Sequence, residues 1–340
     1  MDRKARILRK ILLVQLRQLG DIILTTPCIR EVKKAWPDAE VSFLSHPMGR
    51  LVLEGNPWLD QLYTYPVDDF FGELKLVRHL RKQKFDIVLD FMSNPRSALY
   101  SLLAGRGQRW AFDTRRRAAY NHVVPRSRES DYIVREKFKL LDALGIKAQD
   151  ETTMIPWGEE HLEPLRQCPG LGNEPIRVVI SPTHRRSPRR WPEERYAALA
   201  DLLVEHWGAK VVFAWGPGES DVVDRVQAMC KKPTLKAPKT SFRELAAFIG
   251  NCDLFVGNSN GPSHVAVTVG TPSLQLHGPT QASAWCPRNE LHRAIQGADE
   301  SMLPIDLDSV WEEIEALKPV VAKKAQNRVR NGVRMSWTSP

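Results

Sequence analysis

The chain has 340 residues, and at roughly 150 residues per domain that suggests two domains. Hydrophobic residues make up 42% and charged residues 26%, the balance of an ordinary globular chain, which excludes disordered, collagen-like and coiled-coil classes for most of the length. With 49 Lys and Arg against 40 Asp and Glu the net charge is +9; this favours anionic partners (phosphorylated small molecules, nucleic acid, a membrane surface) or serves solubility alone.

The opening MDRKARILRK leads into a short apolar run with a superficial likeness to a secretory signal. Gln15, Arg17 and Asp21 interrupt the run and no small-residue cleavage site follows. It reads instead as the buried first strand, Ile11–Leu16, of a cytoplasmic protein. Gly20-Asp21 breaks that strand, and 22–35 reads as one helical stretch with Pro27 in its first regular turn. Strands are predicted at 41–44, 61–65, 86–91 and 110–112, a basic amphipathic helix at 74–83, and a helix at 136–144 closed by Gly145. Residues 145–175 mix Pro156, Pro164, Pro169 and Pro175 with Gly158, Gly170 and Gly172, the composition of an interdomain connection.

A second series follows: strands at 177–181, 210–215, 253–256 and 273–277, with helices at 192–207, 219–230, 242–249, 261–269 and 306–317. Strands alternating with helices predict parallel sheets covered on both faces, twice over. The expected division is 1–165, 175–305, and a C-terminal helix and basic tail at 306–340. From Ala322 on there are five Lys or Arg and no acid, which reads as a solvated, mobile tail, with contact to an anionic membrane as the sharper alternative. No apolar run approaches the ~18 residues of a membrane span. The five Cys are scattered without a CxxC pair, as free thiols in a reducing compartment, and no metal-ligand spacing occurs.

Four strand-to-helix turns carry candidate chemistry. In R-x-x-G-D, Asp21 is a helix N-cap or a general base, with Arg17 and Gly20 beside it. After the strand ending near Thr183 come His184, Arg185, Arg186, Arg189 and Arg190, and Arg geometry suits bidentate phosphate binding. W-G-P-G-E presents Gly216, Gly218 and Glu219; an acid there holds a ribose hydroxyl or caps the helix, and the absence of GxGxxG counts against a dinucleotide dehydrogenase. The longest signal is Val256 to Thr280, where Ser259, Asn260, Gly261 and Pro262 start a helix of small residues whose N-terminal amides suit phosphate. His264 in that helix is either packed in the core or in contact with a ligand.

These four segments, in this order, resemble glycosyltransferase family 9, the ADP-heptose:lipopolysaccharide heptosyltransferases, from about Ile11 to about Pro287. Arg17, Gly20, Asp21 and Pro27 match R-x-x-G-D-x-x-x-x-x-P. Arg189-Arg190-Trp191-Pro192 resembles K-x-W-P with Arg for Lys, Gly216 to Glu219 resembles G-x-x-E, and Ser259-Asn260-Gly261 to His264 resembles D-[ST]-G-x-x-H. The resemblance implies an α/β GT-B fold, two Rossmann-like parallel-sheet domains facing a central cleft. It implies metal-independent, inverting transfer of a heptose from ADP-heptose to a lipopolysaccharide core sugar, with no cofactor. Asp21 would be the base and Arg17 and Gly20 would bind acceptor. Thr183, Arg185, Arg189, Gly216, Glu219, Ser259, Asn260, Gly261, Pro262 and His264 would bind donor, with Arg189 on the pyrophosphate and Glu219 on the ribose. The implied partners are the nucleotide sugar and a lipopolysaccharide precursor, at the cytoplasmic face of the inner membrane with peripheral contact left open.

The sequence departs from the family where Ser259-Asn260 replaces the acidic Asp-[ST]: a serine carries no charge. That keeps in view a same-fold enzyme using a different nucleotide sugar. A nucleic-acid-binding protein is the rival that +9 suggests, but no recognition motif or interleaved aromatic-basic strand supports it. A non-catalytic anion binder is a third reading, against which stand Asp21 and the Arg loop.

Overall fold

The computed structural model describes residues 9–127, 131–172 and 176–336. The chain divides into two compact units between Met154 and Ile155. In the first, β1 (Lys10–Val14), β2 (Glu40–Ser45), β3 (Gln61–Thr64), β4 (Phe85–Asp90), β5 (Gly105–Phe112) and β6 (His122–Val124) form one sheet in the order 3-2-1-4-5-6. Its helices are α1 (Leu19–Ile23), α2 (Thr26–Ala35), α3 (Arg50–Leu53), α4 (Phe70–Gln83), α5 (Pro95–Ala104) and α6 (Ile133–Ala143).

In the second unit α7 (Glu163–Arg166) precedes β7 (Arg177–Ser181), α8 (Glu193–Trp207), β8 (Lys210–Phe213), α9 (Ser220–Met229), β9 (Leu235–Lys236) and α10 (Phe242–Gly250). Then come β10 (Leu254–Asn258), α11 (Gly261–Thr268), β11 (Ser273–His277), α12 (Ala282–Trp285), β12 (His292–Gln296) and α13 (Leu307–Asn331). The sheet runs 12-11-10-7-8-9, which is the first unit's order counted afresh from β7. Strand pairs in both sheets are parallel.

The continuous apolar strands follow from burial on both faces: Ile11, Leu12, Leu13 and Val14 are all without solvent exposure. In the second unit Val178, Ile180, Val211, Phe213, Leu254, Val256, Leu274 and Leu276 turn one sheet face toward α8, α9 and α13, with period two along each strand.

Several sequence expectations change. The stretch 22–35 is two helices, because the chain turns at Leu24 and Thr25 before Pro27 enters the first turn of α2. Asp21 is not an N-cap: it sits inside the first turn of α1, whose N-cap is Gln18. Residues 145–172 are packed rather than a loose connection, with Met154, Ile155, Trp157, Leu162, Leu165 and Cys168 buried; Pro175 lies outside the described residues. The mobile tail is overturned as far as residue 331. Pro319 reads as a stop, yet α13 continues past it. Val310, Ile314, Leu317, Val321 and Ala325 form its buried stripe, at about 1.5–3 kcal/mol for each large side chain.

Two basic residues of that supposed tail are spent inside the unit. The Arg328 guanidinium donates to both oxygens of Asp253, 3.0 Å to Oδ1 and 2.9 Å to Oδ2, and Asp253 is fully buried. Lys324 Nζ donates to Thr271 Oγ1 at 2.5 Å, and burial pushes its ammonium down to about 7 against the pull of Asp253. Beyond the helix, Arg334 donates to Val269 O at 2.9 Å and its backbone N–H to Asn251 Oδ1 at 2.6 Å. All five Cys are free; burial pushes the thiols of Cys28 and Cys252 up to about 12 and that of Cys286 up to about 11.

Arg328→Ala leaves the Asp253 carboxylate buried without its guanidinium. It should cost about 3 kcal/mol or more in urea or thermal unfolding, whereas a change within about 0.5 kcal/mol is what a solvated tail gives.

Candidate functional site

In a sheet of order 3-2-1-4-5-6 the chain leaves strands 1 and 4 toward opposite faces, and the carboxyl ends of these neighbours border a crevice. In the first unit those ends are the loops after β1 and β4; in the second, those after β7 and β10. Three of the four turns singled out in the sequence lie at these points, and the fourth, Gly216 to Glu219, follows the adjacent β8.

After β1, Arg17 is exposed and donates through Nε to Tyr65 Oη at 3.1 Å. The Arg96 guanidinium lies 5.0 Å over the Tyr65 ring and the His46 ring meets it edge-on at 5.4 Å. Burial and the Arg17 charge hold the His46 imidazolium below its usual range. Asp21 is half-buried. Its Oδ2 accepts from Gln18 N at 3.2 Å, and Oδ1 accepts no hydrogen bond among the described residues. A carboxylate so placed, with one oxygen free, can take a proton from a hydroxyl.

Beneath this turn is a residue the sequence reading passed over. Lys137, on α6 and 3% exposed, donates through Nζ to Asp21 O at 2.8 Å and to Thr25 Oγ1 at 2.6 Å; Thr25 Oγ1 in turn donates to Asp21 O at 2.7 Å. Burial pushes the ammonium down to about 8, opposed by the Asp21 carboxylate and reinforced by the charge of Arg126. Its apolar neighbours on the helix are a visible periodic signal; its polar partners lie more than a hundred residues away and are not.

After β4, Asp90 is fully buried: Oδ1 accepts from Met92 N and Ser93 N, each at 2.9 Å, and Oδ2 from Tyr120 Oη at 2.6 Å. This fixes the loop that leads into α5, whose first turn carries Arg96. From the loop after β5, Arg116 Nη1 donates to Ser93 O at 3.3 Å.

In the second unit Thr183 is buried, and its carbonyl accepts from Asn258 Nδ2 at 3.3 Å and Asn260 Nδ2 at 3.0 Å. Asn258 Oδ1 also accepts from Trp191 N at 3.0 Å. The loop after β7 is thus sewn to the end of β10. Arg185 and Arg186 are exposed, Arg190 Nε donates to His184 O at 2.5 Å, and the half-buried Arg189 guanidinium pairs with no acid among the described residues. Burial and the Arg186 charge lower the Arg189 pKa, and burial and Arg189 lower that of His184. The loop is a cation without its counter-ion.

Asn260 is the N-cap of α11: its Oδ1 accepts from Ser263 N at 3.3 Å while Ser263 Oγ accepts from Asn260 N at 3.2 Å. The cap occupies one of the helix's free amides and Pro262 removes another, which leaves the Gly261 N–H and the positive end of the helix dipole. Ser259 is half-buried and its N–H donates to Leu276 O at 3.0 Å. His264 is 5% exposed with its ring 5.9 Å from that of Trp285. Burial, then the charge of His264, push the nearby His277 down to about 3. Glu219 Oε2 accepts from Gly216 N at 3.1 Å, and a Cβ on Gly216 would lie 2.9 Å from that oxygen. Among the described residues no group of three or more His, Cys, Asp or Glu is placed to hold a metal.

Residues 73–305, more than half of the chain, match glycosyltransferase family 9 (heptosyltransferase). The chain belongs to that family. This family 9 protein is a glycosyltransferase with the GT-B fold. It is 29% identical to lipopolysaccharide heptosyltransferase 3 of Escherichia coli K12 over 296 residues, 81% of this chain and 84% of that one. A family 9 glycosyl transferase from Veillonella parvula superposes with a TM-score of 0.81 at 22% identity, over 93% of this chain and 97% of that one. The E. coli heptosyltransferase WaaC with ADP-2-deoxy-2-fluoro heptose superposes with a TM-score of 0.69 at 18% identity, over 90% and 99%.

The Lys137 environment has a signed pH signature. With a folded value of about 8, below that of an unfolded lysine, the unfolded chain binds more protons between the two values, so stability rises with pH across that window. Relative to Lys137→Met, the family 9 protein should gain roughly 1.4 kcal/mol for each pH unit crossed upward from about 8. Parallel unfolding curves from pH 7 to pH 10 check this; a constant difference rejects it.

Proposed function

We propose that the protein moves a heptose from ADP-heptose to a core sugar of a lipopolysaccharide precursor, with inversion at the anomeric carbon. The names of its relatives and the ADP-sugar held by a similar structure support this reading. The observation that carries it is the half-buried, unpaired Arg189 on a loop that Asn260 ties to the N-terminus of α11, a preformed receptor for a diphosphate at a switch point.

The acceptor hydroxyl oxygen bonds to the anomeric carbon as the bond from that carbon to the diphosphate oxygen breaks. The hydroxyl proton passes to Asp21, and ADP leaves with the bonding electron pair. Arg189, Arg185 and the Gly261 end of α11 neutralise the charge that develops on the leaving diphosphate. Thr183, Pro262 and His264 shape that pocket. Glu219, with Oε2 engaged by Gly216, offers Oε1 to a ribose hydroxyl. On the acceptor side Arg17, steadied by Tyr65, meets phosphate or carboxylate groups, and Gly20, in the first turn of α1, leaves room for the acceptor to approach the backbone beside Asp21. Lys137 fixes the carbonyl of the same residue whose side chain is the base. The enzyme acts in the cytoplasm.

Asp21→Asn should lower transfer at least about 100-fold with ADP affinity unchanged; near-normal turnover removes Asp21 from the base role. Arg189→Ala should weaken ADP binding by about 10- to 100-fold, the loss of one charge-assisted contact, and unchanged calorimetry rejects the pyrophosphate contact. Ser259, uncharged where the family has an acid, favours a second reading with another nucleotide sugar. Binding assays across a panel of nucleotide sugars separate the two, and preference for a non-heptose donor decides for the second.

A further inference from the structure

The first unit leaves an unusual group of large apolar side chains in water at one edge of its sheet. Met48 follows β2; Val67, Phe70 and Phe71 follow the neighbouring β3; all four are exposed, the two phenylalanines by 68% and 74%. The two rings pack edge to face at 5.9 Å, and Leu74 continues the apolar surface one turn along α4. Because the strands are parallel, the loops after β2 and β3 leave at the same edge as the loop after β1 that carries Arg17 and Asp21.

Charge is laid out beside this rim. α4 buries Leu80 and half-buries Leu76 and Val77, so its outer face presents Phe71, Leu74, Lys75, Arg78 and Lys82 at helical spacing. Past Glu73 the helix contains no acid, and Glu73 itself turns inward to Tyr100 Oη at 2.8 Å and Arg96 Nε at 3.4 Å. Asp69 is folded onto the helix start, accepting from Gly72 N at 2.9 Å, and between β3 and α4 the other acid, Asp68, is exposed. α4 keeps its own apolar face against the sheet, and its outer surface sets exposed aromatic rings beside cations, which supplies the two attractions that hold an element at a membrane interface, apolar burial and charge. No helix among the described residues is long and apolar enough to cross a bilayer, so attachment there is peripheral.

We propose that this rim and the basic face of α4 form a docking surface for an anionic phospholipid bilayer, with Phe70 and Phe71 in the headgroup boundary and Lys75, Arg78 and Lys82 against lipid phosphates. The charge complementarity selects an anionic bilayer over a neutral one. The Phe70–Phe71 end of this surface lies at the sheet edge that carries Asp21, so docking holds that side of the edge at the lipid; the benefit to a lipid-anchored acceptor rests on the function proposed above, but the binding itself does not.

The test is co-sedimentation of the full chain with vesicles of phosphatidylcholine alone or mixed with phosphatidylglycerol. The wild type should bind the mixed vesicles preferentially and release them as salt rises. Phe70→Ser with Phe71→Ser should lower partitioning at least about tenfold, and Lys75→Gln with Arg78→Gln by a similar factor. Leu303→Ser, an exposed apolar residue of the second unit, should bind as the wild type does. Thermal melts check that each variant is folded. The proposal is overturned by equal binding to both vesicle types, or by undiminished binding of the phenylalanine variant. It is also overturned if that variant loses only self-association in ultracentrifugation, which would make the rim a contact between copies of the chain. No readout uses transfer, so failure here leaves the transferase reading standing and failure of that reading leaves this one.

Discussion

Two neighbouring parallel strands that send their chains to opposite faces of a sheet leave a gap that no helix covers, and both halves of this molecule are organised around that gap. Backbone groups at the strand ends there cannot all be satisfied by the sheet. In the second unit Asn258 and Asn260 satisfy them, bonding Pro182 O, Thr183 O and Trp191 N and so bracing the arginine loop against the helix start. In the first, Asp90 does the same for its own loop and Lys137 for the carbonyl of Asp21. The reactive and charged side chains stand on this scaffold of buried amides and carboxylates.

Buried cations recur as the holding device, and they differ in the strength of their partners. Lys137 meets a carbonyl and a hydroxyl, Lys324 a hydroxyl, and both ammonium groups are pushed down by desolvation because those dipoles offset only part of its cost. Arg328 has a full carboxylate in Asp253. Among the described residues Arg189 has no acid partner, and it is the one arginine of its loop that is half-buried without a described bond. A cation kept partly out of water without an acid beside it is what the diphosphate role proposed for Arg189 requires, in contrast to Arg328, whose charge is already consumed by the fold.

The sheets were legible because ILLV, RVVIS and DLFV are apolar on both faces, and burial on both faces is what a central parallel strand requires. The turns at Gly216 to Glu219 and Ser259 to Gly261 were legible because a strand, a glycine and a helix start stand in sequence; after β1 the turn comes earlier than Gly20-Asp21, which lie inside α1. The short strands β6, β9 and β12 were not: each lies at or near a sheet edge with partly exposed residues and lacks an apolar run. α5 was missed although Asn94 and Pro95 are an N-cap and a first-turn proline, since 95–104 mixes serines among its leucines. α13 past Pro319 was not read because a proline ordinarily stops a helix, whereas here Val321 and Ala325 carry on its buried stripe and Lys324 and Arg328 bond Thr271 and Asp253, partners tens of residues away that the sequence does not show. Lys137 escaped for the same reason.

The cysteines carry a practical consequence. A thiol reacts as its thiolate, and with Cys28, Cys252 and Cys286 held far above neutrality by burial, almost none is present at pH 7. Cys168 and Cys230 are raised in the same direction. Four of the five thiols are also buried and Cys230 alone is half-exposed, so replacing Cys230 leaves a chain close to silent toward maleimides, in which a single cysteine introduced at a solvent-facing position such as Leu99 can bear a fluorophore or spin label.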